Sequence, residues 1–205
     1  MPDRRLAPLA GEAAAPEDVL SFWLDEIEPK DWYQGGAALD DRIRDRFEPV
    51  WSQARAGGLR RWRTCPRGAL AYLILTDQFP RNMFRDTAGA FATDALALRA
   101  AKHAISLGWD QAIEGGARQF FYLPFEHSEV GSEQHRAVRL ILERLDGTET
   151  LLHARAHRAV IRRFGRFPYR NAALGRRSTE AEAAMVEAGG YGPLLRSLQE
   201  ADAAA

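Results

Sequence analysis

Apolar residues along the chain recur at three- and four-residue intervals almost throughout, and no stretch alternates as a strand would. The pattern predicts an all-α fold. Pro16 with Glu17 and Asp18 forms a first turn suited to a helix N-terminus, and Val19, Leu20, Trp23, Leu24 and Ile27 follow as one stripe. A second helix is predicted over about 39–56, with Ile43, Phe47, Val50, Trp51 and Ala54 inward, a kink at Pro49 and a stop at Gly57-Gly58.

The third, over about 66–79, is apolar nearly all round from Ala69 to Leu75, the mark of a helix enclosed by others, and Pro80 is expected to end it. Further helices are expected over about 94–107 with Thr93 as N-cap, over 126–145 as one long element, and over 149–164 before Gly165 and Pro168. A short piece at 118–123 precedes Pro124. Thr179 and Glu182 form a capping box for a last helix to about Ala188. Short connections predict antiparallel hairpins in a single domain over 16–198, flanked by a flexible segment over 1–15 and a frayed tail over 199–205.

Composition narrows the class without naming a function. The 205 residues hold 28 basic and 28 acidic side chains, so no polyanionic partner is implied by net charge, and nucleic acid is not expected. One cysteine, Cys65, excludes an internal disulfide and suits a reducing compartment, so a cytoplasmic setting is expected. No apolar run approaches a secretion signal or a membrane span, and neither a cofactor nor a resident metal is expected. Neutrality nevertheless hides a dipole. From Leu151 to Thr179 there is no acid but eight arginines, at 155, 158, 162, 163, 166, 170, 176 and 177, whereas the first 30 residues carry seven acids. Such a run can meet phosphates or carboxylates of a metabolite or peptide, or neutralise acids such as Asp77 and Glu126 within the fold.

Several polar residues break the helical pattern. Asp77 falls on the buried row of Leu70, Leu73 and Ile74, where burial and the helix C-terminus both oppose its charge, so a cation such as Arg81 or Arg85 must answer it. His127 and Gln134 share a stripe with Val130, Ala137, Val138 and Ile141, with Glu126 flanking it and Glu129 turned further out. His153 and His157 stand four apart, a spacing two metal ligands would need, but no third ligand is fixed. An inward histidine is also the ordinary hydrogen-bonded resident of a core.

The runs DQFPRNMFR (77–85), FATD (91–94), FYLPFEHSE (121–129) and RFGRFPYRN (163–171), with LGR from Leu174 and the Ser178–Glu182 segment, resemble family 924 of bacterial domains of unknown function. The resemblance covers nearly the whole chain from Phe22. It implies a tetratricopeptide-like right-handed array of helical hairpins and no established activity. Positions matching the family motifs are Asp77, Gln78, Arg81, Asn82, Glu126, His127, Glu129, His157, Arg166 and Asn171, and these are the candidate ligand-binding residues. The family often has His where this chain has Tyr169.

Three functions compete. The first is a binding or adaptor module that takes an anionic metabolite or peptide in an Arg-lined groove. In the second, a hydrolase uses His127 or His157 as general base, with Asp77 or Glu126 orienting it and Arg81 or Arg166 stabilising an anion. The third makes the motifs a purely structural polar network.

Overall fold

The computed structural model describes residues 13–33, 35–146 and 148–203, and among these no residue lies in a strand. The fold is all-α. Against the single domain expected over 16–198, packing divides the chain into two compact units, Met1–Pro124 and Phe125–Ala205. Residues 1–12 of the expected flexible segment, and 204–205 of the tail, lie outside the described residues.

In the first unit α1 (Pro16–Leu20) runs directly into a π-helical turn, Ser21–Glu26. The backbone N–H of Ala15 donates to the Asp18 carboxylate at 2.7 Å, which satisfies one orphan donor at the helix start. Val19, Leu20, Phe22 and Trp23 are buried. α2 (Ala37–Arg55) continues through Pro49 and buries the predicted row of Ile43, Phe47, Val50, Trp51 and Ala54. Phe22, Trp23, Phe47 and Phe79 meet edge-on or tilted at centroid distances of 4.9–6.1 Å and form the aromatic centre.

α3 (Pro66–Leu73) lies against α1, the 3-10 turn Arg60–Thr64 and α5 (Asp94–Ser106). Its glycine is required, because a Cβ on Gly68 would stand 2.3 Å from the Trp62 carbonyl oxygen. Pro80 does not end this helix. α3 widens into a π turn, Ile74–Gln78, and resumes as α4 (Phe79–Met83), with Pro80 in the first turn of the new segment. A wider turn moves the carbonyl four residues back away from the proline ring, removing the clash that normally stops a helix. Pro80 has no N–H to offer the Thr76 carbonyl, which instead accepts from the Thr93 hydroxyl at 2.6 Å. That hydroxyl accepts in turn from Trp51 Nε1 at 3.1 Å. Thr93 stands at the N-cap of α5 as expected, but its side chain serves the π turn and makes no cap bond.

The division between units falls within α6 (Leu123–Glu126). In the second unit the long helix expected over 126–145 is instead this short turn, a bend, and α7 (Gly131–Arg144). The buried Gln134 accounts for the break. Its Nε2 donates to the carbonyls of Phe125 at 3.3 Å, Ser128 at 2.6 Å and Glu126, closing the bend with the carbonyls a continuous helix would have used internally.

α7 packs along α8 (Thr148–Phe164), and α9 (Glu180–Glu187) starts at the predicted capping box, with Glu182 N donating to Thr179 Oγ1 and Thr179 N to Glu182 Oε2. The sequence reading stops the last helix near Ala188, but α10 (Gly192–Ala203) follows and packs on α8, extending into the stretch expected to fray. Val160, Ile161 and Phe167 form the centre of this unit, with Phe164, Tyr169, Met185, Tyr191 and Leu194 around them.

Candidate functional site

The ten candidate positions fall four in the first unit and six in the second. In the first, the predicted answer to buried Asp77 is Arg81, one turn on. Its Nη1 stands 3.4 Å from the Asp77 carboxylate and also donates to the Asp77 backbone carbonyl. The same guanidinium grips Asp94 with two bonds of 3.0 and 3.1 Å. Gln78 donates to the Trp32 carbonyl at 3.2 Å and to Asn82 at 3.3 Å, and Asn82 donates to Asp40 at 2.8 Å. Arg85 donates to both oxygens of that carboxylate, Nε to Oδ2 at 2.9 Å and Nη2 to Oδ1 at 3.1 Å.

Asp40 is therefore the hub that the sequence reading missed. An acid in a helix first turn reads as a solvated partner of the dipole, and nothing local reveals that Asn82 and Arg85, more than 40 residues away, bury it. In this unit Gln78, Arg81 and Asn82 fasten the π turn and α4 to the Trp32 turn, to α5 and to α2, and Asp77 holds Arg81 in place.

Three of the second unit's candidates build a comparable lock around the irregular stretch that follows α8. Glu129 accepts from Arg176 at 2.7 and 3.0 Å and from the Phe167 N–H at 2.8 Å. Burial pushes its pKa up, but the hydrogen bonds from Arg176 and Phe167 and the charges of Arg176 and Arg170 outweigh this and hold it below the ordinary value. A continuous helix would turn Glu129 outward, and the bend at 127–130 re-aims it.

Arg166 binds Glu182 with bonds of 2.6 and 2.8 Å. The Arg166 hydrogen bond, aided by the Thr179 N–H, takes the Glu182 pKa down to about 2. Buried Asn171 donates to Ser178 at 3.0 Å. The capping box was legible, but Glu182 serving a distant arginine as well was not.

Glu126, His127 and His157 come together differently. Glu126 is 1 % exposed, and His157 turns Nδ1 toward its Oε2 at 3.5 Å. The His157 ring is stacked on Tyr191 with centroids 5.1 Å apart and planes 19° apart, while Phe167 and His127 meet it edge-on at 5.5 and 6.3 Å. His153 Nδ1 lies 3.1 Å from the Tyr191 hydroxyl.

Burial first, and the His157 charge second, push the His153 pKa down; burial and the Glu126 charge push that of Tyr191 up. Both are neutral near neutral pH. One helix, α8, supplies both imidazoles because positions four apart share a face. Tyr191, just before α10, carries no sequence signal beyond standing between glycines. Among the described residues no group of three or more His, Cys, Asp or Glu is arranged to hold a metal ion.

A third feature comes from the arginine run. Arg155, Arg158 and Arg162 lie on a side of α8 away from His153 and His157, and with Ala159 and Leu198 they line an open groove of about 370 Å³. Burial, with the like charges of Arg162 and Arg155, pushes the Arg158 pKa down. None of these three was among the ten candidates.

The profile of a family described as bacterial protein of unknown function, DUF924, matches residues 19–190. The solved structure of a protein of unknown function, ATU0120 from Agrobacterium tumefaciens, is 42% identical to the chain and superposes with a TM-score of 0.80, covering 85% of this chain and 97% of its own. No curated protein matches. Among the described residues, no helix is long and apolar enough to cross a membrane.

Proposed function

The protein belongs to the bacterial DUF924 family, and we propose that it is a binding module that takes an anionic metabolite or peptide in the arginine groove of α8. The observation that carries this reading is that Arg158 is pressed by two further guanidinium groups, Arg155 and Arg162, in a cleft of about 370 Å³, inside the roughly 300–1,000 Å³ range of small-ligand sites. Burial and the like charge of Arg162 both oppose the Arg158 charge, and an anion seated beside them relieves this. Positions 155, 158 and 162 span about 10 Å along the helix, enough for two carboxylate or phosphate groups, and guanidinium forks bind both bidentately. Leu198 and Ala159 supply apolar contact for the remainder of the ligand. In this reading the helical hairpins are of the tetratricopeptide type and the protein works in the cytoplasm.

The ten motif residues then divide in role. Asp77, Gln78, Arg81, Asn82, Glu129, Arg166 and Asn171 hold loops and helix ends, whereas Glu126, His127 and His157 gather in a separate cluster. Calorimetry with pyrophosphate, citrate and a glutamate-rich peptide at low salt tests the reading. Binding of at least one is expected, weakening about 10- to 100-fold in Arg158→Ala, the scale of one charge-assisted pair. Affinity for none of the three, or equal affinity in the variant, refutes it.

A further inference from the structure

We propose that the cluster around Glu126 is a catalytic site of its own, a hydrolytic centre for carboxylic esters in which His157 is the general base and Tyr191 the hydrogen-bond donor to the carbonyl oxygen. This site is independent of the arginine groove, because His153 and His157 stand on another side of α8. The argument begins with the imidazole. Its buried Nδ1 stands 3.5 Å from Oε2 of a carboxylate that is 1 % exposed, near but not hydrogen-bonded to it, and Nε2 is the ring's other nitrogen. A carboxylate on the Nδ1 side stabilises the imidazolium formed when Nε2 accepts a proton. Stacking on Tyr191 and edge contact with Phe167 hold the ring plane, so the proton acceptor is already oriented.

A base alone does not make a hydrolase; an oxyanion needs a donor that remains protonated. Tyr191 meets that need. Burial and the neighbouring Glu126 charge keep its hydroxyl protonated, and His153, itself kept neutral by burial, anchors the oxygen at 3.1 Å. With His153 Nδ1 protonated and donating to that oxygen, the phenolic hydrogen is released toward substrate. Base and donor stand side by side, since their rings are stacked at 5.1 Å. His127, edge-on at 6.3 Å, closes one side, and Tyr169, ring-stacked on Phe167 at 5.4 Å, adds to an aromatic wall suited to a planar or apolar acyl or alcohol group.

The step balances without a further reagent. Water loses a proton to His157 Nε2 as its oxygen bonds the acyl carbon; the carbonyl oxygen gains negative charge and a hydrogen bond from Tyr191. Collapse breaks the ester C–O bond, and the proton on His157 passes to the departing alkoxide. Glu126 and His153 are positioning residues.

Multiple-turnover hydrolysis of p-nitrophenyl acetate by the full chain is the test. The wild-type protein is expected to exceed the buffer rate, His157→Gln to lose about 100-fold or more, and Tyr191→Phe to lose about 100-fold in kcat with KM within about twofold. Glu126→Gln is expected to lower kcat about 10-fold at unchanged KM, a split that a purely structural defect would not produce. His135→Gln, at an exposed residue bonded to the Gly131 carbonyl, is expected to match wild type. Wild-type turnover no faster than buffer overturns the proposal. So does a full rate in Tyr191→Phe, a half-buried position that decides the matter even if His157→Gln fails to fold.

Discussion

The motif residues of the first unit and those around Glu126 in the second are both polar groups buried among helices, yet they are arranged to opposite effect. Around Asp40 and Asp77 each carboxylate faces a guanidinium, with the Asn82 amide also donating to Asp40, so bringing the groups together relieves the penalty of burying each. Around Glu126 the neighbours are imidazoles and a phenol, and burial favours the neutral forms of His153 and Tyr191. Burial of a polar residue is therefore no sign of function by itself. The partner decides: a guanidinium makes a lock, and an imidazole makes a group that can exchange protons.

Removing one partner should separate the two regions most sharply. Arg81→Met removes the guanidinium that Asp77 and Asp94 share, and a loss of about 3 kcal/mol of stability is expected in urea unfolding, the lower end for breaking a buried pair. His157→Gln removes a proton acceptor rather than a counter-charge and should stay within about 1 kcal/mol of wild type. Equal losses in the two variants would make the Glu126 cluster another lock.

The Arg166–Glu182 pair gives a smaller effect with a definite sign. The folded pKa of Glu182, about 2, lies below the ordinary 4.5, so the pair's stabilisation is complete above about pH 5 and disappears as pH falls toward 2. Acid unfolding followed by circular dichroism should show a shallower loss of stability across that window in Glu182→Gln, which starts less stable at pH 7.

The smallest effect belongs to His153. Its folded pKa lies below 6.5, so the unfolded chain binds a proton first and stability should fall slightly as pH drops from 7 to 5. His153→Gln should remove that slope, whereas His135→Gln, at the exposed surface, should retain it. A slope unchanged in His153→Gln would assign it to other groups.

Much of this molecule is legible along the chain because helix formation is a short-range matter. The rows Val19–Trp23 and Ile43–Ala54, the enclosed helix from Ala69, and the Thr179–Glu182 box each depend on residues within a few positions of one another. Even Arg81 answering Asp77 is one helical turn away. The reading fails where a distant group intervenes. Pro80 is passed because Thr93, 17 residues on from Thr76, takes the Thr76 carbonyl that the proline leaves open. A continuous helix from Glu126 gives way to a bend because Gln134 collects three carbonyls there. α10 was missed because its apolar row gains meaning only against α8.

Periodicity and capping in the sequence thus determined the helical class, most of the buried rows, and the identity of the polar residues that needed explanation. Tertiary structure alone decided which of them meet a counter-charge and which meet an imidazole. A charge's energy depends on what lies within a few ångströms, and for Asp40, Glu126 and Glu182 those neighbours come from 16 to 45 residues away along the chain.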